Sequence, residues 1–299
     1  MKDTVSQTWS AKLESMCQLK CGDNDSLKAF WRANADAVGT VLRSSSKEAR
    51  TGYSVVFNIS SAHVASFCAG NYKNAYDLDA DHKNLGEPHV SATRKTVDST
   101  LEAAFGTGPK DIYFGAIEIN GQGVGFYGDI CLVLKDGIVP DETIVLDRNS
   151  YDLTRSPLSD QIESPRTPSS SVLRTDMAKC MSGYLGDDIG EIAAAKVAAF
   201  IAPRERRLTT GMISEAICSD EDYLEVLKIG TFTAADLKEA RLSAADVAFE
   251  ERTHRKSIEG PPPTLVELIW ASRRRTAERA LNSRGVPIKV VTRTGRIKG

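Results

Sequence analysis

The sequence predicts an α+β fold: a small antiparallel sheet in the central region with helices, followed by a mainly helical C-terminal domain. Three observations lead there. Between Ile112 and Asp147, three runs of β-branched and aromatic residues alternate with turn signals, Asn120-Gly121 first among them. Residues 154–171 then carry three prolines and six serines, a composition that forbids regular structure. Beyond them, apolar residues recur mostly at helical spacing. The expected organisation is therefore residues 1–153 as N-terminal helices plus a central sheet domain, 154–171 as a linker, and 172–299 as a helical domain with a basic helix–strand unit.

Element by element, 4–20 and 26–50 read as amphipathic helices, the second with Leu27, Phe30, Trp31, Ala35, Val38 and Leu42 on one face. Tyr53 to Ile59 is aromatic and β-branched, hence a strand. Ser60 and Ser61 offer caps for a helix over 62–69, a long polar loop spans 70–90, and Ser91 caps a helix ending at Gly106. Strands follow at Ile112–Ile119, Val124–Leu134 and Thr143–Asp147, read as an antiparallel meander. Helices are expected at 172–182, 187–201 and 212–229. The segments Thr233-Ala-Ala-Asp236 and Ser243-Ala-Ala-Asp246 each set a hydroxyl three residues before an acid, which suggests two short capped helices. Thr264 to Arg284 reads as a helix with Leu265, Leu268, Ile269 and Leu281 inward and Arg273 to Arg275 outward. Gly285 stops it, and Pro287 to Thr292 is a strand.

A chain of 299 residues, 41% of them hydrophobic, can bury a core without disulfides. It shows neither a secretory leader nor a run of about 18 apolar residues, so a cytoplasmic location is expected. Six scattered cysteines are expected to be reduced. Cys17 and Cys21 lie four apart without two further ligands at metal spacing, so no metal site is expected. Charge is uneven: residues 252–299 hold 12 Lys/Arg and 3 Asp/Glu, while the other 251 hold 26 and 37. The basic end therefore suits either a nucleic acid or acidic protein partner, through Arg273, Arg274, Arg275 and Arg279, or the acidic body of its own chain.

The densest polar cluster is Asp147 to Asp152, directly after an apolar strand. If the second and third strands form a hairpin, Asp147 lies opposite residue 129 or 130, and Glu118 falls near Gly125 or Phe126. Glu118, Asp129, Asp147 and Arg148 then become catalytic candidates, since close carboxylates can split their pKa values. The structural alternative is that Asp147 and Asp152 cap turns and Arg148 pairs with Asp129. Ser60 has an equally plain alternative role as a helix cap, and His63 lacks the G-x-S-x-G turn of a serine hydrolase. There is no P-loop, and Gly121-Gln-Gly-Val-Gly125 sits in a turn without a following helix.

The aromatic strand Phe57-Asn58-Ile59 running into Ser60-Ser61, with Phe67 on the next helix, resembles the serine-motif strand of bacterial ADP-ribosyltransferase toxins. Phe126-Tyr127-Gly128-Asp129-Ile130, followed by Thr143–Asp147, is similar to later strands of such modules. The resemblance covers about residues 50–152. It implies an intracellular effector with NAD as cofactor, Ser60, Ser61, Tyr127 and Asn149 binding it, and Glu118 or Glu142 as the single catalytic acid, because the family's paired-acid element is absent.

Overall fold

The computed structural model describes residues 53–81, 90–105, 108–118, 121–125, 127–137, 143–146, 149–150, 181–184 and 223–295. The expected helices at 4–20, 26–50 and 187–201, the 154–171 linker, and Glu142, Asp147, Arg148 and Asp152 lie outside these residues.

Eight strands form one sheet: β1 (Ser54–Ile59), β2 (Ile112–Glu118), β3 (Ile130–Leu134), β4 (Thr143–Leu146), β5 (Met181–Tyr184), β6 (Glu225–Ile229), β7 (Leu237–Ser243) and β8 (Ile288–Val291). Their order is β5-β4-β6-β2-β1-β3-β7-β8. Every neighbouring pair is antiparallel except β7 and β8, which run parallel. Five α-helices accompany them among the described residues: α1 (Ser61–Ala69), α2 (Ala75–Asp81), α3 (Ala92–Phe105), α4 (Ala244–Glu259) and α5 (Leu265–Ser283). None is long and apolar enough to cross a membrane.

The α+β class holds, but the sheet is neither small nor confined to the central region. Residues 225–229, expected to end a helix, form β6 between β2 and β4. Residues 181 and 182, expected to end another helix, belong to β5. The C-terminal third is thus joined to the sheet rather than built as a helical domain apart. Strand pairing across β6 decides this over local propensity, because Leu, Glu and Lys suit a helix equally well.

The meander is corrected too. β1 lies between β2 and β3, and β4 pairs with β5 and β6 instead of β3. Between β3 and β4 there are four strand steps, roughly 19 Å at about 4.8 Å each. β3 and β4 therefore do not form the expected hairpin, and Asp129 does not face the end of β4. β3 starts only at Ile130, because Gly123 and Tyr127 take φ of 109° and 71°, which no strand accommodates.

Capping explains two further differences. Thr233 and Asp236 form their box around a single 3-10 turn that enters β7, whereas Ser243 begins the 16-residue α4. α2 occupies part of the expected loop at 70–90. Its entry is held by Asn74, whose side-chain oxygen accepts from the Tyr76 and Asp77 amides at 3.0 Å.

The two faces of the sheet differ. Phe57, Ile117, Leu132 and Leu242 pack with Val64 and Phe67 of α1 and with Ala277 and Leu281 of α5. On the other face, Val97 and Leu101 of α3 pack on Ile112, Ile144, Leu146 and Leu227.

α5 is rotated from its expected phase. Its buried stripe is Trp270, Arg274, Ala277 and Leu281, while Leu265, Val266, Leu268 and Ile269 are exposed. Arg274, expected outward, is fully buried. Its Nη1 donates to Asp129 Oδ2 at 3.2 Å, and Asp246 and Glu250 lie at 3.8 and 3.5 Å. Arg275 donates to Glu250 at 3.1 Å. At Arg274 and Arg275, the basic helix serves the acidic body of its own chain. Arg273 and Arg279 face solvent.

Candidate active site

On the α3 side of the sheet, a cavity of about 460 Å³ opens over β1, β2 and β6. Small residues make the hollow. Gly115 and Ala116 of β2 line it, and Ala116 pairs with Glu225 of β6. Gly115 is small for the other face: a methyl group there would stand 2.7 Å from the Val56 carbonyl oxygen and 2.8 Å from the Phe57 ring, so on β2 it is Ala116 that leaves room for the cavity. Aromatic rings of Tyr72, Tyr76, Phe114, Tyr127 and Tyr223 form much of the wall.

The sequence of β6 alternates, so Tyr223, Glu225 and Leu227 share one face. In a central strand that face is covered, and Glu225 is 1% exposed. Its Oε2 accepts from the Ser150 amide at 2.8 Å, and its Oε1 lies 3.3 Å from the Tyr223 hydroxyl. Burial pushes its carboxyl up to about 7, against the opposing pull of Arg94, Ser150 and Tyr223.

α3 supplies the counter-charges. Arg94, Val97, Asp98 and Leu101 fall at i, i+3, i+4 and i+7 and form its buried stripe. The Arg94 guanidinium pairs with Asp98 and donates to Ser150 Oγ at 3.2 Å. It also lies 3.6 Å from the centre of the Phe114 ring. Asp98 in turn accepts from the Tyr76 hydroxyl at 2.8 Å.

A hydroxyl chain leads outward. The Tyr223 hydroxyl is 3.3 Å from that of Tyr127, which accepts from Asn149 Nδ2 at 3.1 Å. Tyr127 is 60% exposed and holds the left-handed backbone that a bulky residue rarely takes. Such strain is retained where the surroundings over-determine it, often at functional sites. A buried carboxyl titrating near neutrality, with a path to solvent, is suited to proton transfer. Removing the donor with Tyr223→Phe should move the Glu225 titration to still higher pH, since a hydrogen bond to a carboxylate favours the charged form. Carboxyl-region infrared spectra across pH would detect this, and an unchanged midpoint would remove Tyr223 from the site.

The expected site residues separate into groups. Tyr127 and Asn149 are brought together by a side-chain hydrogen bond, and Tyr127 lines the cavity. Ser60 caps α1, accepting from the Ala62 amide at 3.4 Å. The Ser61 amide donates to Asp129 Oδ1 at 2.7 Å, so Asp129 joins α1 to Arg274 and does not line the cavity. Glu118 is buried in an ion pair with Arg241 at 2.8 Å. Sequence reasoning missed Glu225, Tyr223, Arg94 and Asp98. The alternation Tyr223-Leu-Glu-Val-Leu-Lys-Ile229 was the signal for β6. Arg94 and Asp98, four apart on a helix, resemble any surface ion pair. No cluster of three metal-ligating side chains occurs among the described residues.

Comparison of the chain with protein-family models, with curated proteins and with solved structures found no match.

Proposed function

We propose that the protein is an enzyme in which Glu225 moves a proton to or from a ligand held in the 460 Å³ cavity. The observation that carries this reading is Glu225 itself: a buried carboxyl, pushed up to about 7, on the wall of an aromatic hollow. The cavity lies within the roughly 300–1,000 Å³ typical of small-molecule sites. Proton-transfer groups work best when their pKa lies near the operating pH.

An NAD-dependent ADP-ribosyltransferase is the narrower form of the proposal. In that reaction the glycosidic bond breaks with its electron pair passing to the nicotinamide ring, and an acceptor oxygen bonds to the ribose carbon. Glu225, as the base, takes the acceptor's proton. Aromatic walls suit the flat nicotinamide ring, and Tyr127 with Asn149 stands at the margin where the acceptor would arrive.

NAD at millimolar concentration should raise the melting temperature and be consumed with release of nicotinamide. Glu225→Gln should keep binding within about twofold and lower turnover by about 10²–10⁴. Turnover should rise with pH through a limb near 7, set by ionisation of Glu225. NAD that neither stabilises the chain nor is consumed would exclude the transferase form.

The proton-transfer reading has a test that needs no substrate. A carboxyl whose folded pKa is raised stabilises the fold most below its unfolded value, near 4.5, and loses that contribution as pH rises through 7. Relative to the native chain, Glu225→Gln should therefore gain stability steadily between pH 4.5 and 7 and level off above. A pH-independent difference in urea midpoint would show that Glu225 does not titrate there, and the proposal would fall.

A further inference from the structure

On the face of the sheet away from the cavity, α4 and α5 run antiparallel, and a groove of about 310 Å³ lies between them. Its two ends differ in chemistry. At one end Leu265, Val266, Leu268 and Ile269 are 42–71% exposed. Ile258 of α4 stands at the same end, two residues past the Lys256 that pairs with Glu267 of α5. Single exposed apolar residues are ordinary, but a group gathered at one end of a helical pair marks a contact surface. At the other end Arg275 and Arg279 line the groove, and among the described residues no carboxylate does. Arg275 Nε donates to Glu250 of α4 at 3.1 Å, which fixes its guanidinium between the two helices. Neither of its Nη groups is bonded among the described residues. Arg279, one turn on, has no hydrogen bond or ion pair among them. Like charges four apart on a helix repel, and an incoming anion removes that cost.

Two other kinds of occupant would each match one half. A nucleic-acid backbone would satisfy the arginines and leave the aliphatic end in water. A helix that lies in a lipid surface carries its apolar stripe along its length. The stripe on α5 stops at Ile269 and gives way to Ser272, Thr276 and the arginines. We propose that the groove docks an amphipathic helix of a partner protein, antiparallel to α5. Carboxylates in its first two turns meet Arg279 and Arg275, and aliphatic side chains further on meet Leu268 and Leu265. Leu268 lies about 10 Å along the axis from Arg275, so about two turns separate the two contacts. The antiparallel sense also sets those carboxylates at the positive end of the partner's own dipole. The inference is independent of the proton-transfer reading, since groove and cavity lie on opposite faces of the sheet.

The probe is a synthetic peptide of about 16 residues, with Glu in its first two turns and Leu along one face of the next two. In calorimetric titration of the full chain it should bind saturably. Replacing its Glu by Gln, or its Leu by Ser, should each weaken binding about tenfold or more. Arg279→Glu should weaken it by about the same factor, and a peptide with Lys for Glu should recover most of that loss on this variant alone. Leu268→Ser should weaken binding but leave its salt dependence unchanged. Both substituted residues are exposed, so circular dichroism should show the two variants folded. No saturable binding, or binding that a folded Arg279→Glu chain leaves unchanged, would overturn the proposal. Displacement of the peptide by duplex DNA, by phosphatidylserine vesicles, or by self-association seen in sedimentation would assign the groove to that occupant instead and overturn it too.

Discussion

Arg274→Met should lower the unfolding free energy by about 3–5 kcal/mol, the range for removing one member of a buried ion pair. The length of methionine preserves most of the packing, so the loss reports charge. Asp129, Asp246 and Glu250 converge on this guanidinium, and its own exposure is 0%. Asp129 also fixes the start of α1 through the Ser61 amide. One side chain of α5 thus ties α1, α4 and the head of β3. Urea denaturation at pH 7 measures the effect. A loss under about 1 kcal/mol, within the range of an exposed pair, would mean the cluster is solvated and the buried-pair description is wrong.

Gly128→Ala should be comparably damaging through shape alone. Its added methyl carbon would stand 2.1 Å from the Ile59 carbonyl carbon and 2.2 Å from the oxygen. Backbone atoms cannot rotate away, so β1 and the approach to β3 must separate. Overpacking of an ordinary core costs about 1–3 kcal/mol, and a clash with backbone belongs at or above the upper end. Gly137→Ala is the matched control, since nothing lies within 4 Å of the added atom. Thermal unfolding of the two variants should differ clearly. Gly128→Ala should also displace Tyr127, weakening any ligand protection gained at the cavity. Equal melting temperatures for the two variants would refute the close approach.

These two positions show what the sequence revealed and what it withheld. A glycine at 128, beside aromatic strand residues, suits a point of close backbone approach. Its partner was not legible, since the pairing of β3 with β1 joins residues 71 to 77 apart. Arg274 was misplaced for a physical reason. The first turn of α5 offers Leu265, Val266, Leu268 and Ile269, and hydrophobic periodicity selects that face, yet three buried carboxylates select the other. The candidate site was half legible. Asn149 stands in a polar stretch just after β4 and Tyr127 beside a glycine just before β3, but Glu225 belongs to a segment whose composition favours helix. Only its place between β2 and β4 makes it a buried acid.

The order of strands also constrains how the molecule assembles. β4 meets the rest of the sheet through β6, which follows it by some 80 residues. As the chain leaves the ribosome, β1, β2 and β3 can pair early, but β2 keeps an open edge and β4 has no sheet to join. Such edges invite pairing with other chains. Non-local closure of this kind slows folding and prolongs exposure to aggregation. The same strand that closes the edge carries Tyr223 and Glu225 to the cavity, so the candidate site cannot exist before the sheet is sealed. A chain stalled short of residue 225 would lack both its central strand and its acid.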